Sequence, residues 1–372
     1  MSEPTSSAAG PPAEISHLVR ERAEARARRD WSTADALKNQ IEALGWRVTD
    51  HGRRTSVSQA APATLEVAGE IRYGSASVVP SALAEPATTG WTVAIVASES
   101  PDRVSRLLAG LRAHAPAGTQ VVVVANDPSE AQAAALQPGG PDRAPVGRID
   151  LELLRTSTRL GAAAAFNMCL RRASGEMVLL ADGSAWPTGD ALTPLAAALA
   201  DPSIAAAGGF GLVSPADGPL RQGSLGRDGD PAPHRNVVAL EAGWLAFRRA
   251  DYRALGPLDE RFVTPAWLDV WWTLRLRVGA EPEDPATAET TGEAGSPEAG
   301  ATTDADSAEA VGRADPMASP GDPRVLPRAL GAVRLALPLA REEAPWPPDR
   351  SRLNRRNMYR VLDRFGWRED LG

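Results

Sequence analysis

The chain has 372 residues, 43% of them hydrophobic, and a formal net charge of −7. That length suffices for one large domain or two to three ordinary ones with a sizeable core. The single cysteine, Cys169, excludes an intramolecular disulfide, and four scattered histidines, His17, His51, His114 and His234, form no metal-ligand cluster. No apolar run reaches the roughly 18 residues needed to span a bilayer. The opening MSEPTSSAAGPPAE has neither the basic nor the apolar segment of a signal peptide, so a cytoplasmic location is expected. The acidity is local: residues 278–322 hold eleven acids, one Arg and no aromatic residue. They carry −10, and the remainder is about +3, which leaves the folded part open to an anionic ligand.

Residues 1–13 are rich in Ser, Pro, Ala and Gly and are expected to be disordered. Residues 14–57 read as a small module. Ile15, Leu18, Val19, Arg22 and Ala23 recur at helical spacing. Asp30 or Ser32 caps a second helix, with Ala34, Leu37, Ile41 and Leu44 as its apolar stripe and Gly45 as its stop. GWRVTDHGRRTSV then alternates like a short strand pair. The stretch ERAEARARRDWSTADALKNQIEALGWRVTD resembles the C-terminal helical module of cysteinyl-tRNA synthetases, through Arg22, Ala25, Arg26, Asp30, Trp31, Ala34, Asp35, Leu44 and Gly45. No catalytic motif of a synthetase accompanies it, so aminoacylation is not implied. The hairpin either packs through an amphipathic face or docks on RNA or a protein through Arg20, Arg22, Arg26, Arg28 and Arg29.

Residues 58–90 read as a linker with one edge strand. From Trp91 the texture changes. WTVAIVA, TQVVVVAND, LELLRTS and EMVLLADGS are apolar strands. PDRVSRLLAGLRAHA, GAAAAFNMCLRRASG and TGDALTPLAAALAD are helical. Strands alternating with helices, each strand apolar throughout, indicate a parallel sheet covered on both faces. Ligands of such sheets sit at the C-terminal strand ends, here Ala97-Ser98-Glu99, Ala125-Asn126-Asp127 and Ala181-Asp182-Gly183. Further on, VVALEAGWLAFRRADYRALGPLDERF reads as strand, turn and short helix, and AWLDVWWTLRLR as an amphipathic helix. Residues 278–322 read as a disordered insert. In residues 323–372, GAVRLALPLA is a strand and SRLNRRNMYRVLDRFGW a basic helix.

This order of elements resembles glycosyltransferase family 2, with its GT-A fold. Four blocks carry the resemblance: WTVAIVASESPDRVSRLLAGL, RLGAAAAFNMCLRRASGEMVLLADGS, EAGWLAFRRADYRALGPLDERF and LDVWWTLRLR. It covers residues 91–277 and 330–372. It implies an α/β fold with a mixed sheet and helices on both faces, preceded by the hairpin module. It also implies inverting transfer of a sugar from a nucleotide-diphosphate donor to a glycan or lipid-linked acceptor hydroxyl, in cell-envelope or glycan synthesis.

That chemistry needs a nucleotide pocket, charge compensation for the leaving diphosphate and a base for the acceptor proton. Asn126 and Asp127 either accept from the nucleobase or simply turn the chain. At the acidic strand end the family carries Asp-x-Asp; here it is Asp182-Gly183-Ser184, one carboxylate and a hydroxyl, toward Mg²⁺ or Mn²⁺. An arginine clamp is the metal-free route, with Arg248, Arg249, Arg352, Arg355, Arg356 and Arg360 as candidates and Arg249 as the choice among the nucleotide-sugar ligands. The resemblance makes Asp269 the base, although Leu268 and Trp271 replace the family's neighbouring acids. Asp269 equally suits a helix cap. Trp244, Trp267 and Trp271 are candidates for the acceptor side, because indole faces stack on sugar rings. The five-arginine RSRLNRRNMYR supports peripheral contact with the inner face of an anionic membrane. Two other readings stay open: a sugar-nucleotide-binding protein that has lost catalysis, and an RNA or protein adaptor acting through residues 14–57.

Overall fold

The computed structural model describes residues 11–51, 54–59, 62–98, 100–137, 149–214, 225–230, 232–241, 243–279, 329–342, 351–366 and 371. The acidic insert from residue 280 onward lies outside them. The chain divides into two compact units, one of residues up to Val78 with Thr156–Thr158, the other of Val79–Arg155 and Arg159–Gly372.

In the smaller unit, α1 (Ala13–Ala27) and α2 (Trp31–Ala43) form the hairpin that the sequence predicts. Ile15, Leu18 and Ala25 are buried together with Ala34 and Ile41. Asp30 is the cap of α2, accepting from the Thr33 amide at 3.1 Å. Gly45, at φ +80°, takes the left-handed turn that ends the helix. Strands β1 (Trp46–His51) and β2 (Arg54–Gln59) pair antiparallel. Arg22 is buried and donates both terminal nitrogens to Asp50, at 2.8 and 2.7 Å, and Arg26 also pairs with Asp50. Two of the five arginines offered for docking are thus spent inside the module, whereas Arg20, Arg28 and Arg29 are exposed. The expected linker contains a hairpin rather than one strand, β3 (Leu65–Val67) and β4 (Glu70–Tyr73).

The larger unit opens with β5 (Thr89–Ala97), α3 (Pro101–His114), β6 (Thr119–Ala125), α4 (Glu130–Ala135), β7 (Ile149–Thr156), α5 (Ala162–Arg171) and β8 (Gly175–Ala181). Next come β9 (Ala185–Pro187), α6 (Leu192–Leu199), β10 (Ile204–Gly208), β11 (Gly211–Val213) and β12 (Gly226–Arg227). Then β13 (His234–Val237), β14 (Ala239–Leu240), β15 (Leu245–Arg248), α7 (Arg249–Leu255) and α8 (Leu268–Val278) follow. The described part ends with β16 (Gly331–Leu335), β17 (Leu339–Arg341) and α9 (Arg352–Phe365). GAVRLALPLA, expected as one strand, is two, separated at Ala336–Pro338, because β17 leaves the main sheet to pair with β9.

The main sheet of this unit runs β13-β16-β10-β15-β8-β5-β6-β7. Strands β7, β6, β5 and β8 are parallel, and β15 lies antiparallel between β8 and β10. The sheet is therefore mixed, as the GT-A resemblance implies, and not wholly parallel as the strand–helix alternation alone suggests. The alternation is silent here because β15 begins only five positions after β14 ends, too few for a crossover helix. Every residue of β6 is buried, as suits a strand covered on both faces. Val93, Ile95, Val121, Val123 and Leu179 pack on the face of α3 and α6. The alternate residues face α5, where the Cys169 thiol lies against the carbonyls of Ile95 and Val122.

Candidate functional site

The site is built at the C-terminal ends of β5, β6 and β8. As β8 ends, Asp182 turns the chain: its Oδ1 accepts from the Ser184 amide at 2.8 Å and from the Ser184 hydroxyl at 2.6 Å. Gly183 sits between them at φ +80°. Opposite, Gly243 at φ +112° brings the start of β15 against this turn. A Cβ at Gly243 would lie 3.0 Å from Ser184 Oγ and 3.5 Å from Asp182 Oδ1, so a glycine is needed for the approach.

Asp182 and Asp269, 87 positions apart, line one narrow cleft with Gly243, Phe166, Leu180 and Pro265. Asp269 is in the first turn of α8, half-buried, and its Oδ1 accepts from the Val270 amide at 2.9 Å. Trp267, the residue before the helix, is held at φ +70°, a left-handed conformation unusual for a bulky side chain. Strain of that kind is retained where the surrounding structure imposes it. The approach of α8 is set by Asn167 of α5. Its amide donates to Leu258 O (2.9 Å) and Glu260 Oε1 (3.1 Å), and accepts from the Leu258 amide (2.9 Å) and the Tyr252 hydroxyl (3.1 Å). Ala162 and Ala163, at the start of α5, donate backbone bonds to Val263 and Phe262. These bonds fix the loop that leads into Pro265 and α8.

Several predicted site residues have other employment. Asn126 is 4% exposed; its side chain exchanges two hydrogen bonds with the Leu160 backbone, at 3.0 and 2.8 Å, so the amide anchors a loop and is not presented to a nucleobase. Its neighbour Asp127 is exposed at φ +48° on the strand end. Arg249 is buried and donates to the carbonyls of Ala82 and Glu85 at 2.5 and 2.9 Å, which removes it as a diphosphate clamp. Arg248 likewise serves the carbonyls of Leu199 and Asp201. Trp244 is wholly buried, and its indole N–H donates to Ala185 O at 3.2 Å, so it is core and not an acceptor platform. Trp271 lies against Phe262 and lines a different groove, away from the Asp269 cleft. Of the three tryptophans, only Trp267 adjoins the cleft residues in sequence and remains half-exposed.

The structure adds a charged cluster that sequence reasoning missed. Glu342, just past β17, donates its amide to Ser184 O at 2.8 Å. Its carboxylate is held by Arg103 (2.7 Å) and Arg106, one turn apart on α3. Arg103 packs on the acidic turn: a Cβ at Gly183 would lie 3.2 Å from its Cβ. The Arg106 guanidinium stacks 4.4 Å from the Trp186 ring. The two guanidiniums hold the Glu342 carboxyl below the usual carboxylate range, Arg106 contributing most. The acidic turn thus has two cations beside it, 160 positions from the carboxylate that now engages them. Among the described residues, no group of three or more His, Cys, Asp or Glu is placed to hold a metal ion. The Ser184 amide and hydroxyl both donate to one Asp182 oxygen.

With this geometry in place, residues 92–255 match the sequence model of glycosyl transferase family 2. The match falls on the segment in which the sequence resembles that family. Residues 8–57 match the cysteinyl-tRNA ligase anticodon binding domain. No curated protein matches the chain. Solved structures similar to the chain include a mannosyltransferase from Pyrobaculum calidifontis in complex with GDP-Man and Mn²⁺. It is 18% identical, with 55% of this chain and 56% of that one covered and a TM-score of 0.38. Another is GalNAc-T7 with UDP, GalNAc and Mn²⁺, at 12% identity, 74% and 48% coverage and a TM-score of 0.48. A third is S. aureus TarS in complex with UDP-GlcNAc, at 16% identity, 49% and 54% coverage and a TM-score of 0.34. The chain spans about half the length of these structures. Among the described residues, no helix is long and apolar enough to cross a membrane.

Proposed function

We propose that the protein transfers a sugar, with inversion, from a nucleotide-diphosphate donor to a hydroxyl of a glycan or lipid-linked acceptor. The observation that carries this reading is the convergence of the β8 strand-end turn at Asp182 and of Asp269 on one cleft. Asp127, exposed at the end of β6, faces the nucleoside, and Asp182 with Ser184 marks the diphosphate end. Asp269 takes the proton of the acceptor hydroxyl as its oxygen attacks the anomeric carbon. The bond to the diphosphate breaks on the opposite face, and its electrons leave with the diphosphate. Arg103 and Arg106 compensate that charge once Glu342 yields them. Trp267 offers an acceptor ring its indole face. The Asp182 carboxylate and Ser184 hydroxyl fit a Mg²⁺ or Mn²⁺ ion that takes its remaining ligands from diphosphate and water, and such an ion would add to the charge compensation. The exposed arginines of α9 suit an anionic membrane surface carrying the acceptor, at the inner face in cell-envelope synthesis.

The second reading, a sugar-nucleotide binder without turnover, is favoured by Leu268, which is buried where the family carries an acid. Calorimetric titration with UDP-, GDP- and dTDP-sugars, with and without Mn²⁺, followed by a turnover assay, separates the two. Asp182→Ala is expected to weaken binding. Asp269→Asn is expected to leave binding intact and to lower turnover by about 10³-fold or more, as loss of a general base does. Binding without turnover in the unaltered protein selects the second reading; binding of no nucleotide overturns both.

A further inference from the structure

Helix α9 buries three side chains at four-residue intervals, Asn357, Val361 and Phe365. Two are apolar. The third is an amide, which burial penalises unless its polar atoms find partners. The partners of Asn357 lie on the loop that leads into the Asp182–Asp269 cleft. Its Nδ2 donates to Ala266 O and to Thr264 Oγ1, both at 3.0 Å, and comes within 3.5 Å of Thr264 O. Its Oδ1 accepts from Arg360 at 3.0 Å. That bond settles which end of the amide is nitrogen, since a flipped side chain would set two donors against each other. Asn354, three residues before on the same face, accepts from the same Thr264 hydroxyl at 2.9 Å.

Of these bonds, the one to the Ala266 carbonyl reaches furthest. That carbonyl shares a rigid peptide plane with the Trp267 nitrogen, so holding it fixes the plane from which the φ of Trp267 is measured. Trp267 stands at φ +70° and ψ −5° and is the residue from which α8 starts. Residues at helix starts usually take extended φ and ψ and offer a side-chain oxygen to the helix amides. Trp267 does neither. A bulky L-residue leaves the left-handed region unless its surroundings hold it there. The Trp271 amide donates to Trp267 O at 2.9 Å, and the Leu268 amide to Pro265 O at 3.1 Å. These two bonds carry the orientation of Trp267 into Asp269, two positions on. Pro265, Leu268 and Asp269 all line the cleft. Asp182, which lines it from the end of β8, is held by Ser184 instead.

We propose that Asn357 is a positioning residue for sugar transfer. By pinning the Ala266 carbonyl it keeps Trp267 left-handed, and so sets where the base Asp269 and the Trp267 indole stand in the cleft. This role rests on the transferase reading above. It acts on the acceptor side: the geometry of proton removal depends on Asn357, whereas donor binding at Asp182 does not.

The test uses the full chain with Asn357→Ala, Asn357→Asp and Asn354→Ala. Asn357→Asp keeps the shape of the side chain and an acceptor for Arg360 and loses the donor to Ala266, so it stands in should Asn357→Ala disturb folding. Crystal structures of the Asn357 variants are expected to show Trp267 at negative φ. Calorimetry with UDP-, GDP- and dTDP-sugars is expected to give unchanged donor affinity. Release of nucleoside diphosphate is expected to fall about tenfold to a hundredfold, as a misplacement of about 1 Å does. Asn354→Ala breaks the neighbouring bond and keeps that to Ala266, so it should leave Trp267 and turnover as they are. The proposal is overturned by Trp267 still near φ +70° in the Asn357 variants, by unchanged turnover, by turnover and donor affinity falling together, or by an equal loss in Asn354→Ala. An unaltered protein that binds or turns over no sugar nucleotide overturns the transferase reading and this role with it. Trp267 unmoved in an active enzyme overturns this role alone.

Discussion

Replacing Asn167 by Ala should be the most damaging single truncation near the site. The side chain is 1% exposed, and its amide makes four hydrogen bonds, to the Leu258 amide and carbonyl, the Tyr252 hydroxyl and Glu260. Leu258 and Tyr252 are themselves 1% and 3% exposed, so water cannot replace the lost amide without opening the packing. Three buried polar groups, the Leu258 amide, the Leu258 carbonyl and the Tyr252 hydroxyl, lose a partner. At about 1–3 kcal/mol for each, discounted for local relaxation, the loss is about 3–5 kcal/mol. That is a large fraction of the roughly 5–15 kcal/mol that holds a domain folded. Urea unfolding of the full chain, followed by circular dichroism, measures it as a shifted midpoint. Turnover should fall as well, because the Leu258–Glu260 loop sets the path into Pro265 and Asp269. A loss below about 1 kcal/mol would refute the view that Asn167 anchors the acceptor-side loop.

Glu342→Gln removes the carboxylate that occupies Arg103 and Arg106, so donor affinity should rise in the calorimetric assay; unchanged or weaker affinity would separate these arginines from the diphosphate. Cys169 is wholly buried, with burial pushing its thiol up to about 12. It should resist iodoacetamide at pH 8 in the native protein and react fully in urea, as mass spectrometry will read. In the smaller unit the Arg22 guanidinium holds the Asp50 carboxyl well below its usual range. A depressed native value contributes stability above the unfolded value of about 4, and that contribution is lost as pH falls through the native one. Thermal melts of Asp50→Asn against the unaltered chain should therefore differ most near neutrality and converge as pH is lowered. A gap that is constant with pH would show the loss to be unrelated to charge.

Much of this was legible from local pattern. The hairpin follows from apolar spacing, from Asp30 as a cap and from Gly45 as a stop, all of which act within one or two helical turns. The strand–helix alternation marks the covered sheet, and the end of β8 marks Asp182, because an apolar run must give way to polar residues where the sheet meets water. The long-range features were not legible. The antiparallel insertion of β15 depends on which strand edges lie open to pairing, which hydropathy does not record. Asn126, Arg249 and Trp244 have the residue types of a binding site. Whether such a side chain serves a ligand or the fold depends on which backbone groups stand beside it, and here these were Leu160, the carbonyls of Ala82 and Glu85, and Ala185. Local sequence thus determined the elements and the place of the acidic turn. Only the tertiary structure decided which charges surround that turn, since Arg103, Arg106 and Glu342 meet through contacts more than two hundred residues apart in the chain, which no local period encodes.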